Sequence, residues 1–349
     1  MTRRTVGPAV IGADRGTNLP TSIEEFPVLN PNQPDAISLC SGAGQLDQAV
    51  HAVTGNRLTL YAEKDPHASA VMAARFPGVR NLGDIATADY REAAEVLGED
   101  ADLIAGWPCQ GISHNGHRLG LDDPRSGLWR SVAHAIQVIR PKRVFLENVA
   151  ALKTRGLPTV SANLNELGYD LYWTITKASD IGAAHTRPRF IGYAIPGAGI
   201  TVEVPAPPAL YPPLPMLPTP KATDGPNGGP NQRDGKGVFY LPGVAVRLDE
   251  AWNSPELGVD YGPAVRRWAS IVGRAAPSPV APDARGNMRH NPAAVEWLMG
   301  WPAGWITDIG GIARPELLRI GGNGVVPQQT AAGHRLLMDA ARTELRAAA

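Results

Sequence analysis

Asp102-Leu103-Ile104-Ala105-Gly106-Trp107-Pro108-Cys109-Gln110-Gly111 is the stretch on which the reading of this chain turns. A short apolar run bounded by Gly and Pro reads as a buried strand that ends in a loop, and the loop lifts one thiol off the end of a sheet. The chain has 2 cysteines, Cys40 and Cys109, so neither a zinc cluster nor a disulfide framework is available. Cys109 is then either a displayed nucleophile or a packed, inert thiol, since free cysteine is among the most buried residue types. The loop alone leaves the two readings level.

Outward from this strand, apolar runs and amphipathic segments alternate. Strands are expected at Ala36 to Leu39, Leu58 to Glu63, Arg80 to Gly83 and Arg143 to Leu146, with helices from Leu46 to Val53, Pro66 to Phe76, Tyr90 to Leu97 and Gly127 to Ile139. Strands Tyr169 to Thr176 and Arg189 to Ile195 complete the set. Such alternation predicts an α/β protein with a Rossmann-like doubly wound sheet. Residues 35–200 and 315–349 are assigned to that domain. Residues 1–34, with five prolines and no periodicity, are read as an irregular arm.

After Ile200 the composition shifts to closely spaced prolines and the run Asp224-Gly225-Pro226-Asn227-Gly228-Gly229-Pro230. Val238-Phe239-Tyr240-Leu241, Trp252, Tyr261 and Trp268 supply anchors that a flexible linker lacks. Residues 201–314 are therefore expected to form a compact, loop-rich small domain and hinge. Asn291-Pro292 caps a helix over Ala293 to Met299, and Gly321-Gly322-Asn323-Gly324 leads into a last helix.

With 33 basic and 33 acidic residues the net charge is zero, so bulk charge argues for no nucleic-acid partner. Any phosphate-binding surface has to be local. No apolar run reaches the length of a signal peptide or a membrane span, which predicts a cytoplasmic protein without membrane contact.

Ser41-Gly42-Ala43-Gly44 follows the first strand as a Gly-rich turn at a helix start, a place where backbone amides hold a nucleotide or a related ligand. Glu63 ends the second strand about 20 residues on, where an acid accepts ribose hydroxyls. A nicotinamide fingerprint would need a third Gly where Asp47 stands, which counts against that cofactor.

Pro108-Cys109-Gln110, followed by His114, His117, Arg118 and Asp123-Pro124-Arg125-Ser126-Gly127, resembles the catalytic loop of the cytosine-5 DNA methyltransferase family. Glu147-Asn148-Val149 resembles its second catalytic motif. Ala184-His185-Thr186-Arg187-Pro188-Arg189 resembles its Gln-x-Arg-x-Arg segment, with His185 in place of Gln, and Gly322-Asn323-Gly324 resembles its last motif. The resemblance covers about Ala36 to Ile195 and Arg289 to Gly333. It implies the catalytic residues Cys109, Glu147, Arg187 and Arg189. It implies S-adenosylmethionine as methyl donor, held by Ser41, Gly42, Ala43, Gly44, Glu63, Asp84, Ile85, Pro108, Asn323 and Val325. Cys40 stands where the family usually has Phe, and Gln45 where it usually has a second Gly.

On the same resemblance the partner is double-stranded DNA, clamped by the loop that holds Gln110, Ser113, His114, Arg118 and Arg125. The protein is expected to act as a monomer, and a companion restriction endonuclease is part of that picture. The small domain lies where the family carries target recognition, with Lys221, Arg233, Lys236, Arg266 and Arg267 as candidates for base contacts; the recognition sequence is not legible there. Two alternatives stay open: an RNA cytosine-5 methyltransferase, although the Cys-Phe-Thr tripeptide of the RNA-acting branch is missing, and a catalytically silent DNA-binding regulator.

Overall fold

The structure is a computed structural model that describes Arg4–Thr5 and residues 33–108 and 127–348. Its first half is an unbroken alternation. The two-residue strand β1 (Arg4–Thr5) precedes β2 (Asp35–Leu39), α1 (Gln45–Thr54), β3 (Arg57–Ala62), α2 (Pro66–Arg75), β4 (Arg80–Asn81), α3 (Tyr90–Leu97) and β5 (Asp102–Ala105). Beyond the undescribed loop follow α4 (Leu128–Ile139), β6 (Arg143–Val149), α5 (Leu152–Arg155), α6 (Leu157–Glu166), β7 (Tyr169–Lys177), β8 (Pro188–Pro196) and β9 (Thr201–Glu203).

Local signals explain where the helices begin. The Asp65 carboxylate accepts from the amides of His67 and Ala68 at 3.1 and 2.9 Å, with Pro66 at the first helical position of α2. Asp89 caps α3 in the same way at 3.0 and 3.2 Å.

Among the described residues the main sheet has nine strands in the order β1-β9-β7-β8-β6-β5-β2-β3-β4. β2 lies parallel between β3 and β5, and β6 parallel beside β5, whereas β8 is antiparallel to both β6 and β7. Successive residues feed opposite faces, as the pleat requires. Ile37, Leu103, Val144 and Leu171 join one core, while Ala36, Ile104, Phe145 and Tyr172 join another. Helices α3, α4 and α6 contribute to the first core, and α1 contributes Leu46 and Val50 to the second. Both faces are covered, which is why the strands read as continuous apolar runs.

The remaining α-helices are α7 (Leu241–Ala245), α8 (Gly262–Val272), α9 (Pro292–Leu298), α10 (Arg314–Asn323) and α11 (Pro327–Ala348). α11 returns to the main sheet and places Leu336, Leu337 and Ala340 in the second core. A separate core gathers Trp252, Trp268, Trp297, Trp301 and Trp305, all buried.

Three local expectations change. Gly321, Gly322 and Asn323 are the last turn of α10, not a loop. Val238 is 60% exposed and anchors nothing, although Phe239 and Leu241 beside it are buried. β9 extends the main sheet past residue 200 by pairing with β7. Among the described residues no helix is long and apolar enough to cross a membrane.

Candidate active site

The ends of β2, β3, β5 and β6 open on a cavity of about 960 Å³. Its first wall is the turn after β2. Gly44 has φ +86°, and its amide donates to the Ser41 carbonyl at 3.0 Å, which closes the turn. A Cβ here would lie 2.5 Å from the Phe76 ring, so glycine is required for packing as well as for the backbone. Ser41, Gly42 and Ala43 line the cavity; Gly44 lies behind them and does not. Cys40, also lining, takes the left-handed conformation at φ 54°, and burial pushes its thiol up to about 12.

Glu63 forms the second wall. Its carboxylate accepts from the Gly42 amide at 2.8 Å and from the Asp65 amide at 2.8 Å, which fixes it against the Gly-rich turn. Burial raises its carboxyl above the ordinary range. Asp84 and Ile85 follow on the same side. The Ala86 amide bonds Asp84 at 3.0 Å and, with Lys64 nearby, holds its carboxyl low. Asn323, the last residue of α10, and Val325, in the turn that follows, also line the cavity.

The third wall is polar and nearly dry. Glu147, at the C-terminal end of β6, is 7% exposed and pairs with Arg189 Nε at 2.9 Å. Burial raises its carboxyl, and this outweighs the pull of Arg189 and Arg187 toward the charged form. Arg187 is wholly buried. Its guanidinium donates to the carbonyls of Pro220 at 2.8 Å and Gly322 at 2.9 Å, and also to Gly324. A fan of backbone acceptors thus holds this side chain. His185, two residues upstream, accepts no charge: burial drives it down to about 3, with Nε2 3.0 Å from the Leu298 carbonyl.

Pro108 lines the cavity, and the chain continues from it into Cys109. Cys109, Gln110, Ser113, His114, Arg118 and Arg125 lie outside the described residues. The residue before Pro108 is well held: Trp107 is buried against Trp129 with ring centroids 4.8 Å apart, and Asn148 Nδ2 donates to the Trp107 carbonyl at 2.8 Å. Asn148 thus ties the two predicted catalytic motifs together.

Sequence reasoning missed several contributors, of which three stand out. Gln45 and the loop Thr219 to Lys221 line the cavity. Trp305, from the distant Trp-rich core, donates from Nε1 to the Ala43 carbonyl at 2.7 Å. No short-range pattern marks such a link; only the density of Trp residues near Gly300 hinted at a packed site. Arg267, a candidate for base contact, is instead bonded to the carbonyls of Gly182 and Pro212.

Comparison with known proteins fits this geometry. A family model described as C-5 cytosine-specific DNA methylase matches residues 35–214, just over half of the chain. The chain belongs to that family. Among curated members, the cytosine methylases resembling it include the type II methyltransferase M1.ScrFI of Lactococcus lactis subsp. cremoris, 31% identical over 191 residues, which span 50% of this chain and 48% of that protein. The type II methyltransferase M.MspI of Moraxella sp is 31% identical over 179 residues, covering 50% and 41%. The chain thus spans about half or less of the length of these relatives. Among solved structures, an S. pombe Dnmt2 methyltransferase aligns with TM-score 0.55 at 13% identity, over 88% of this chain and 99% of that one. A putative DNA modification methyltransferase from an E. coli prophage aligns with TM-score 0.51 at 18% identity, over 87% and 99%. These likenesses show that this member of the C-5 cytosine-specific DNA methylase family has the S-adenosylmethionine-dependent methyltransferase fold.

Proposed function

We propose that the chain transfers a methyl group from S-adenosylmethionine to carbon 5 of a flipped-out cytosine in a short duplex DNA sequence, through a covalent bond to Cys109. The observation that carries this reading is one continuous cavity that holds both the Gly-turn and Glu63 side and the Glu147 and Arg189 side. The donor set fits an adenosine-bearing ligand. A carboxylate fixed at the end of β3 suits ribose hydroxyls, the turn after β2 suits a methionine end, and Ile85 offers an apolar face to a purine. When bound there, S-adenosylmethionine supplies a methyl group activated by its sulfonium.

The chain's own groups supply the rest. Carbon 5 of cytosine is a poor nucleophile, so the Cys109 thiolate adds to carbon 6 while Glu147 gives a proton to ring nitrogen 3. Carbon 5 gains electron density and takes the methyl. A base removes the carbon 5 proton, the bond from Cys109 to carbon 6 breaks, and Glu147 regains its proton. A raised Glu147 carboxyl suits this role, because a larger fraction is protonated near neutral pH. In this reading Arg189 orients Glu147, with which it pairs at 2.9 Å, and reaches the cytosine oxygen. The base has to leave its stack to enter the cavity, at a cost of a few kcal/mol.

In this reading the protein acts as a monomer on DNA in the cytoplasm. The type II names of the relatives extend the reading to a companion restriction endonuclease. Base-resolution cytosine methylation mapping tests it, in a methylation-free host that expresses the wild type, Cys109→Ala or Glu147→Gln. The wild type should methylate one short motif. Cys109→Ala should leave it unmodified, and Glu147→Gln should lower turnover by roughly a hundredfold or more. A soluble wild type that leaves DNA unmodified sinks the proposal; methylated RNA would then point to the first alternative, and DNA binding without turnover to the second.

A further inference from the structure

The loop after α9 reaches the cavity from behind. Glu296 is 1% exposed and organises that loop. Its carboxylate accepts from the Gly304 amide at 3.2 Å, the Thr307 amide at 2.9 Å, the Thr307 hydroxyl at 3.0 Å and the Ile306 amide. Four donors on one carboxylate leave it little freedom, so the backbone from Gly304 to Thr307 is fixed to α9.

Two buried indoles flank and occupy this loop: Trp305 lies inside the fixed stretch, and Trp301 lies before it, its amide donating to the Glu296 carbonyl at 2.9 Å. Trp305 Nε1 donates to the Ala43 carbonyl at 2.7 Å, and Trp301 Nε1 donates to the Val325 carbonyl at 2.8 Å. Ala43 and Val325 both line the cavity, whereas neither tryptophan is among its lining residues. The contacts are backed by shape. The Trp305 ring meets Phe76 edge-on at 6.2 Å, and Phe76 is the residue that a side chain at position 44 would strike. A Cβ on Gly324 would come within 2.3 Å of the Trp301 ring. Arg75, from the end of α2, donates to the Trp305 carbonyl at 2.8 Å and to that of Gly304, which pins the loop to the main domain.

We infer that Trp305 and Trp301, set by Glu296, are positioning residues that hold two lining segments of the cofactor cavity, the turn after β2 and the stretch after α10, in their working positions. A buried carbonyl that loses its donor shifts toward another partner, and both carbonyls belong to walls that touch the ligand. The segment expected to serve target recognition and hinge thereby also determines cofactor affinity. This inference rests on the reading of the cavity as an S-adenosylmethionine site.

The test measures binding of S-adenosylhomocysteine by calorimetry, and thermal unfolding, for full-length wild type, Trp305→Phe, Trp301→Phe and Trp268→Phe. Trp268 is the control. It is buried in the same core and its indole donates to the Trp297 carbonyl at 2.9 Å, a carbonyl away from the cavity. Each substitution keeps a ring and removes one donor, so similar losses of stability are expected. Trp305→Phe and Trp301→Phe should each weaken binding by about fivefold or more, with Trp268→Phe close to wild type. Wild-type affinity in both cavity-wall variants, or equal weakening in the control, overturns the inference. If Trp305→Phe fails to fold, Trp301→Phe decides alone. Should the wild type itself not bind, the cofactor reading fails first and takes this inference with it.

Discussion

Glu147 and Asp47 are both acids whose carboxyls are raised by burial, and only one of them belongs to the site. Asp47 is 3% exposed in the first turn of α1, and burial outweighs the nearby Ser38 hydroxyl to push it up to about 7. Glu147 lines the cavity beside two arginines; Asp47 does not line it. A perturbed acid is thus a pointer only when it also faces a space that a substrate can enter. Asp47 has a separate, measurable consequence. Its unfolded carboxyl titrates near the ordinary value of 3.8, so the stabilising neutral form contributes fully below that pH and is lost as pH rises toward about 7. Asp47→Asn removes this dependence. The melting temperature of the variant minus that of the wild type should grow more positive between pH 5 and pH 8, and a constant difference would refute the assignment.

The turn between α10 and α11 shows what an element owes to its neighbours. Gly321-Gly322-Asn323 has poor helix propensity, and the sequence reads as a loop for that reason. It is helical in the fold because long-range partners hold it: Arg187 takes the carbonyls of Gly322 and Gly324, and Trp301 packs on Gly324. Tertiary contacts decided what local preference could not. By contrast α2, α3 and α9 were legible, since Asp65, Asp89 and Asn291 each carry their cap within three residues. Arg187→Lys replaces a planar fork by a single ammonium that cannot span the same carbonyls. Urea unfolding should show a loss of about 2–4 kcal/mol. A change below about 0.5 kcal/mol, the range of a neutral surface substitution, would contradict the latch.

At the scale of the molecule, the sheet could be read from its sequence and the Trp-rich region could not. Strand pairs such as Ala36 with Ile37 and Val144 with Phe145 announce two covered faces through short-range pattern. Residues 201–314 are tied together by single side chains that cap distant carbonyls, and no period records them. The cavity draws walls from both regions, so a ligand in it should stabilise them jointly. S-adenosylhomocysteine at a hundredfold excess over its dissociation constant should add about 2.7 kcal/mol. Tryptophan fluorescence, dominated by the Trp-rich core, and far-ultraviolet circular dichroism, dominated by helices that mostly flank the main sheet, should shift together. A shift in only one signal would mean that the two regions unfold apart.

The hydrogen bond from Trp305 to Ala43 also sets an order of events in the cell. Its two ends are 262 residues apart in the chain. At the roughly 5–20 residues per second of bacterial and eukaryotic ribosomes, the Gly-rich turn leaves the ribosome roughly 13–50 s before the indole that braces it is made. Throughout that interval the nascent protein has the floor of its cofactor cavity without the brace behind it. On the proposed reading of the cavity, tight retention of a methyl donor begins only after translation has passed Trp305.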